Sequence, residues 1–244
     1  MQRETRFFKS CESCHPVRMM KTIRQNIEEV RKRIANVAES VGRSPDEVTL
    51  VAVTKFRTPE EITQAAAAGV KTFGENRVQE AKAKVHLLPE GISWHMIGHL
   101  QTNKAKDAVA LFECIHSLDS IHLADEVEKR CAAADKTMDV LLEVNVSGEE
   151  SKYGLRPDDM EGVVQHVIAL PHLHLKGLMT MAPFVDDPET VRPVFRGLRE
   201  LRDRINEAGI CRLTDLSMGM TQDYEVAIQE GATIVRIGSA IFNV

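Results

Sequence analysis

The chain has 244 residues, 43% of them hydrophobic and 27% charged, with a formal net charge of −5. That length suits one large α/β barrel or two small domains, and the acidic balance argues against a broad nucleic-acid footprint. No apolar run approaches the length that spans a bilayer, and five cysteines without disulfide-framework spacing suit a reducing, cytoplasmic setting.

Residues 1–18 read as a disordered leader ahead of a folded unit at 19–244, with Met19 or Met20 as alternative starts. Within the leader, Cys11-Glu12-Ser13-Cys14-His15 matches the CxxCH pattern of covalent haem attachment. The preceding MQRETRFFKS has no apolar core of signal-peptide length and no second axial ligand stands out, so the match is read as chance or a weak metal-binding tail.

Apolar Ile23, Ile27, Val30, Ile34, Val37 and Val41 recur at helical spacing, which predicts a long amphipathic helix over 20–41 that Gly42 ends. The stretch Leu50 to Phe56 then reads as a strand buried on both faces that delivers Lys55 at its end, and Thr58-Pro59-Glu60-Glu61 opens a helix. Strands are expected over 48–54, 70–73, 93–97, 114–117, 139–146, 174–179, 215–217 and 233–237. Helices are expected between them over 59–68, 76–87, 103–111, 121–134, 158–170, 188–208 and 224–230. Eight strands in strict alternation with helices predict a parallel sheet closed into a single-domain (β/α)8 TIM barrel, with the first helix as an added layer. A doubly wound open sheet is the runner-up, and no linker composition marks a second domain.

Polar or glycine-bearing residues follow strand after strand: Lys55, Gly74-Glu75-Asn76, Gly98-His99, Met179-Thr180-Met181, Ser217-Met218-Gly219 and Arg236-Ile237-Gly238-Ser239. Strand carboxyl ends build the active face of such a barrel. A lysine desolvated there is a candidate amine nucleophile, against the plainer reading of a strand-end lysine reaching solvent. The turns holding Gly219 and Gly238 read as a phosphate cradle, with backbone N–H groups and the hydroxyls of Ser217 and Ser239 as donors; the plain alternative is two turn glycines. By strand alternation Arg236 shares a facing with Gly238 and points into the barrel mouth, where a buried guanidinium needs partners. A lysine opposite a phosphate site suggests a phosphorylated aldehyde held as a Schiff base, and pyridoxal 5′-phosphate (PLP) fits, with Arg236 left for its ring nitrogen. His95, His99 and His116 lie on different strands without metal-like spacing and are expected to be structural, and the methionines to be soft packing around a flat ring. Glu149, Glu150 and Lys152 fall in a loop that is a candidate cover for the site.

In order along the chain, VAVTK with Lys55, FGENRVQE from Phe73, WHMIGHLQTNK from Trp94, HSLD from His116, EVNVSGEESKYG from Glu143, GLMTMAP from Gly177, LSMGMTQD from Leu216 and VRIGSAIF from Val235 resemble the pyridoxal phosphate homeostasis proteins, relatives of the alanine racemase barrel domain. The likeness spans roughly residues 23–242. It implies PLP on Lys55, phosphate contacts from Ser217, Met218, Gly219, Gly238 and Ser239, Arg236 at the pyridine nitrogen and Asn76 beside the ring. His99, Arg57 and Thr221-Gln222 depart from the family pattern, Arg57 standing where a second lysine is common.

Racemases of this barrel type add a tyrosine from a further β domain, and here the sequence ends at Val244, with Tyr153 and Tyr224 inside the barrel segment. An arginine at the ring nitrogen also weakens the cofactor as an electron sink. The resemblance therefore implies a monomeric, cytoplasmic PLP-binding protein of cofactor homeostasis, without efficient catalysis, that hands PLP to apo-enzymes. A weak PLP-dependent amino-acid racemase is the alternative from the enzyme class, and a Schiff-base aldolase acting on sugar phosphates is a third.

Overall fold

The structure is a computed structural model that describes residues 21–149 and 153–243. Residues 1–18, read above as a leader, with their CxxCH motif, and Glu150 and Lys152 of the candidate covering loop, lie outside the described residues.

Eight parallel strands close into a barrel in chain order: β1 (Thr49–Val53), β2 (Thr72–Glu75), β3 (Ser93–Met96), β4 (Cys114–Leu118), β5 (Met138–Glu143), β6 (Leu173–Met179), β7 (Asp215–Ser217) and β8 (Ile234–Ile237). α1 (Ile23–Ser40) precedes the barrel. Outside it lie α2 (Pro59–Ala67), α3 (Val78–Lys84), α4 (Ala105–Leu111), α5 (Ile121–Ala133), α6 (Met160–Ile168), α7 (Arg192–Glu207), α8 (Tyr224–Gln229) and α9 (Ser239–Phe242). The predicted alternation is thus the observed one, and the open-sheet alternative is excluded by the β1–β8 ladder, Thr49↔Ile234 through Ala52↔Ile237.

Local chemistry sets the helix starts. Thr22 accepts from the Gln25 N–H while the Gln25 side chain accepts from the Thr22 N–H, and Thr58 and Glu61 form the same reciprocal pair around Pro59 at the start of α2. Ile23, Ile27, Val30 and Ile34 turn the apolar stripe of α1 inward. Asn26, buried among them, donates to the Ile241 carbonyl at 3.0 Å and so ties α1 to α9.

Two apolar clusters follow from the barrel geometry. A large one fills the space between strands and helices, with Ile27, Ile62, Phe73, Phe112, Leu123, Phe195 and Phe242 buried. A small one, Val51, Ile97, Leu141, Met179 and Ile234 with Val53 packed on it, plugs the lumen. Gly74 is required beside that plug, since a Cβ there would come within 2.8 Å of Ile97 and 2.9 Å of Val51.

Candidate functional site

At the carboxyl ends of the strands a cavity of about 390 Å³ opens. Lys55, Asn76, Arg236, Gly238 and Ser239 line it, which brings together five of the eight predicted site residues. The wall is completed by Val53, Ile97 and residues of the loops after β1, β6 and β7.

Ser217, Met218 and Gly219 do not line the cavity. Ser217 and Met218 are fully buried, and the Gly219 carbonyl accepts from the Arg236 N–H at 3.0 Å behind the wall. The predicted desolvated lysine also differs: Lys55 is exposed, and no hydrogen bond or ion pair holds its amine among the described residues. Nor does it stand opposite the glycine turns. Closure makes β8 the hydrogen-bonded neighbour of β1, so Lys55 and Gly238 extend adjacent strands, and a Cβ on Gly238 would lie 3.3 Å from that of Val53.

Arg236 gains the partners its burial requires. Its Nη1 donates to Ser217 Oγ at 2.6 Å and its Nη2 to the Thr180 carbonyl at 2.9 Å, with the Met181 sulfur 3.1 Å away. Burial pulls the guanidinium down to about 10, partly offset by the Glu143 and Asp223 carboxylates, so it remains a cation at neutral pH.

Behind Arg236 a polar chain crosses the lumen from β8 and β7 to β4 and β3. His116 Nδ1 lies 2.9 Å from Ser217 Oγ, and His116 Nε2 lies 2.9 Å from His95 Nδ1. One set of tautomers pairs every donor in this chain with an acceptor. A guanidinium only donates, so Ser217 Oγ accepts from it, and the serine hydrogen goes to His116 Nδ1. His116 then carries its own hydrogen on Nε2 and donates to His95 Nδ1. Burial holds both rings neutral, His95 pushed down to about 4 and His116 well below the usual histidine range.

Sequence reasoning missed the cavity's aromatic rim. Phe56 and Phe184 are each 79% exposed and line its mouth, and Phe56 holds a left-handed backbone at φ 61°. It also missed Asp223, whose carboxylate accepts from the Met220 N–H at 2.5 Å and pins the loop after β7 against the cavity. Arg57 lines the cavity too, but its guanidinium is engaged by the Phe242 carbonyl, the Asn243 side chain and Glu61. His99 lies outside this cavity, stacked on Tyr153 with centroids 3.9 Å apart and bonded to Asp119 at 2.9 Å.

The alanine racemase N-terminal domain family matches residues 20–244. The pyridoxal phosphate homeostasis protein of Aquifex aeolicus is 44% identical over 220 residues, covering 90% of this chain and 96% of that one. The structure of PipY from Synechococcus elongatus with PLP bound superposes with a TM-score of 0.80 at 33% identity, over 91% of this chain and all of that one. Alanine racemase from Corynebacterium glutamicum shares the fold with a TM-score of 0.67 at 14% identity, over 88% of this chain and 60% of that one.

Proposed function

The chain belongs to the pyridoxal phosphate homeostasis protein family, and from that premise we propose that it binds PLP at the strand-end cavity, held as a Schiff base on Lys55, and serves intracellular PLP homeostasis. The observation that carries this reading is the Lys55 amine, without a partner among the described residues, and the anchored Arg236 guanidinium on the wall of one cavity large enough for a substituted pyridine. When bound, PLP supplies an aldehyde that condenses with a primary amine.

The residues fit such a group. The glycine at 238 leaves room that a Cβ would take from Val53, and the Ser239 hydroxyl and the Thr221-Gln222 loop meet there, as an anion site at this end of a barrel needs. We assign the phosphate to this side, with Gly219 acting through the turn it shapes and Ser217 through Arg236. Met218 supports the turn from the core. Asn76 flanks the ring, and Arg236 offers an N–H to its nitrogen. An arginine holds a proton it cannot give up, so it favours an unprotonated ring and a weak electron sink. We therefore read the protein as a cytoplasmic carrier that delivers PLP to apo-enzymes, without efficient turnover of its own.

Absorption spectra of purified protein before and after borohydride test the assignment. We expect a visible band that borohydride removes while fixing one PLP per chain on the peptide containing Lys55. A Lys55→Ala protein that keeps both features would overturn the assignment. Sustained deuterium exchange at the α-carbon of added amino acids in D₂O would favour the racemase reading, and a colourless protein acting on sugar phosphates the aldolase one.

A further inference from the structure

Toward the amino-terminal half of the lumen, below the Ile97 plug residue, three nitrogen and sulfur donors converge. One ligand atom each of His95, Cys114 and His116 lies within 4.8 Å of the others. They come from β3 and the neighbouring β4, where His95 and Cys114 are register partners. Cys114 and His116 are buried and His95 is half-buried. The strand-end cavity does not include any of them.

We propose that His95, Cys114 and His116 form a site for a borderline-soft divalent cation of the Zn²⁺ type. Two imidazoles and one thiolate are the donor set such ions select, and three protein ligands leave a fourth position for water. Tetrahedral bonds of about 2.0–2.1 Å to nitrogen and about 2.3 Å to sulfur place ligand atoms about 3.3–3.7 Å apart. The observed spread brackets that spacing, and the two ring nitrogens at 2.9 Å need separate by only a few tenths of an ångström.

The distal nitrogen of His116 has a neighbour in Ser217 Oγ at 2.9 Å, placed to accept its N–H once the near nitrogen holds the cation, and such a contact orients metal-bound histidines.

The proton balance is defined. Without metal, His116 carries its hydrogen on Nε2, facing His95, and Cys114 is a thiol. Binding requires lone pairs on His116 Nε2, His95 Nδ1 and Cys114 Sγ. The His116 hydrogen moves to Nδ1, by exchange with solvent, where it is donated to Ser217 Oγ, and the serine hydrogen turns away. The thiol proton leaves, so one proton is released per cation.

The leader supplies a competing set in Cys11, Cys14 and His15, so the test uses the full chain carrying Cys11→Ser and Cys14→Ser, freed of metal and kept reduced. Co²⁺ is titrated as the spectroscopic probe and Zn²⁺ as its competitor. Expected are one Co²⁺ per chain with tetrahedral visible bands and a sulfur-to-cobalt charge-transfer band, release of one proton, and displacement by Zn²⁺. Adding Cys114→Ser should abolish the charge-transfer band and weaken binding at least ~100-fold, and His95→Gln should weaken it similarly. Circular dichroism and thermal melting of each variant, measured without metal, establish that the barrel persists. Absence of stoichiometric Co²⁺ and Zn²⁺ binding, or binding that survives Cys114→Ser, overturns the proposal.

Discussion

Half-buried His95 and buried Glu143 are titratable groups that shift stability with pH in opposite directions. Burial pushes His95 down to about 4, so below the ordinary histidine range the unfolded chain takes up a proton that the native chain refuses. Its contribution is complete above about 6.5 and is lost as pH falls toward 4, up to about 3 kcal/mol at ~1.4 kcal/mol per unit. Glu143 behaves inversely. Burial, reinforced by Asp119 and opposed by Arg236, raises it to about 7, so its native protonated form is favoured at low pH and that contribution is lost as pH rises from about 4.5 to 7. Urea unfolding between pH 4 and 7.5 should therefore separate the variants. Relative to the parent, His95→Gln should gain stability toward acid and Glu143→Gln toward neutrality; parallel curves for both would refute these assignments. The His95 partnership is not legible from spacing, because β3 and β4 bring together positions 21 residues apart. Arg236 is legible as a buried cation needing partners, but that Ser217 is the partner, and so withdraws from the cavity wall, depends on the closed register of β7 and β8.

At the level of elements, the turn after β7 depends on Gly219. It holds φ +91°, and a Cβ there would meet the Ala227 Cβ at 2.6 Å and the Tyr224 Cα at 2.9 Å. Gly219→Ala combines left-handed backbone strain with a clash against α8 and should cost roughly 2–4 kcal/mol. Gly42, which ends α1 at φ +73° with nothing within 4 Å of an added Cβ, isolates the backbone part, and Gly42→Ala should cost about 1 kcal/mol. Denaturant midpoints of the two variants give the difference, and equal losses would show that the α8 contact is unimportant. Strand limits are less legible than strand order. The apolar pattern predicts the second strand over 70–73, but it runs Thr72–Glu75, because its ladder continues through a glycine and a glutamate that carry no apolar signal. Glu75 is buried there by charge pairing: Lys84 and Thr54 each donate to its Oε1 at 2.7 Å. The fifth strand is expected to reach 146 but stops at Glu143. The chain then makes only an isolated bridge, Val144 with Leu155, before a turn in which Gly154 approaches the Asn145 nitrogen too closely for any Cβ.

For the whole molecule, the βα rhythm suffices to predict closure, and closure itself puts β1 beside β8, the one adjacency that chain order hides. That seam has a thermodynamic consequence for the proposed ligand. Lys55 extends β1, Gly238 and Ser239 extend β8, and α9 is tied through Asn26 to α1, so a molecule held by both strand ends bridges the first and last segments of the barrel. A ligand that binds only the native chain stabilises it by RT ln(1 + [L]/Kd), about 2.7 kcal/mol at a hundredfold excess over Kd. At roughly 2–4 °C per kcal/mol for a chain of this size, PLP should raise Tm by about 5–10 °C. On the proposed assignment inorganic phosphate fills only the β8 side, so it should give a smaller rise and, in excess, reduce the increment from PLP. Lys55→Ala should leave the phosphate response intact while shrinking the PLP response toward it. Calorimetric or fluorescence melting of the parent and variant with each ligand checks all three outcomes. A Lys55→Ala protein with the full PLP shift would place the stabilising contacts elsewhere, and a parent indifferent to phosphate would remove the anion site from the β8 turn.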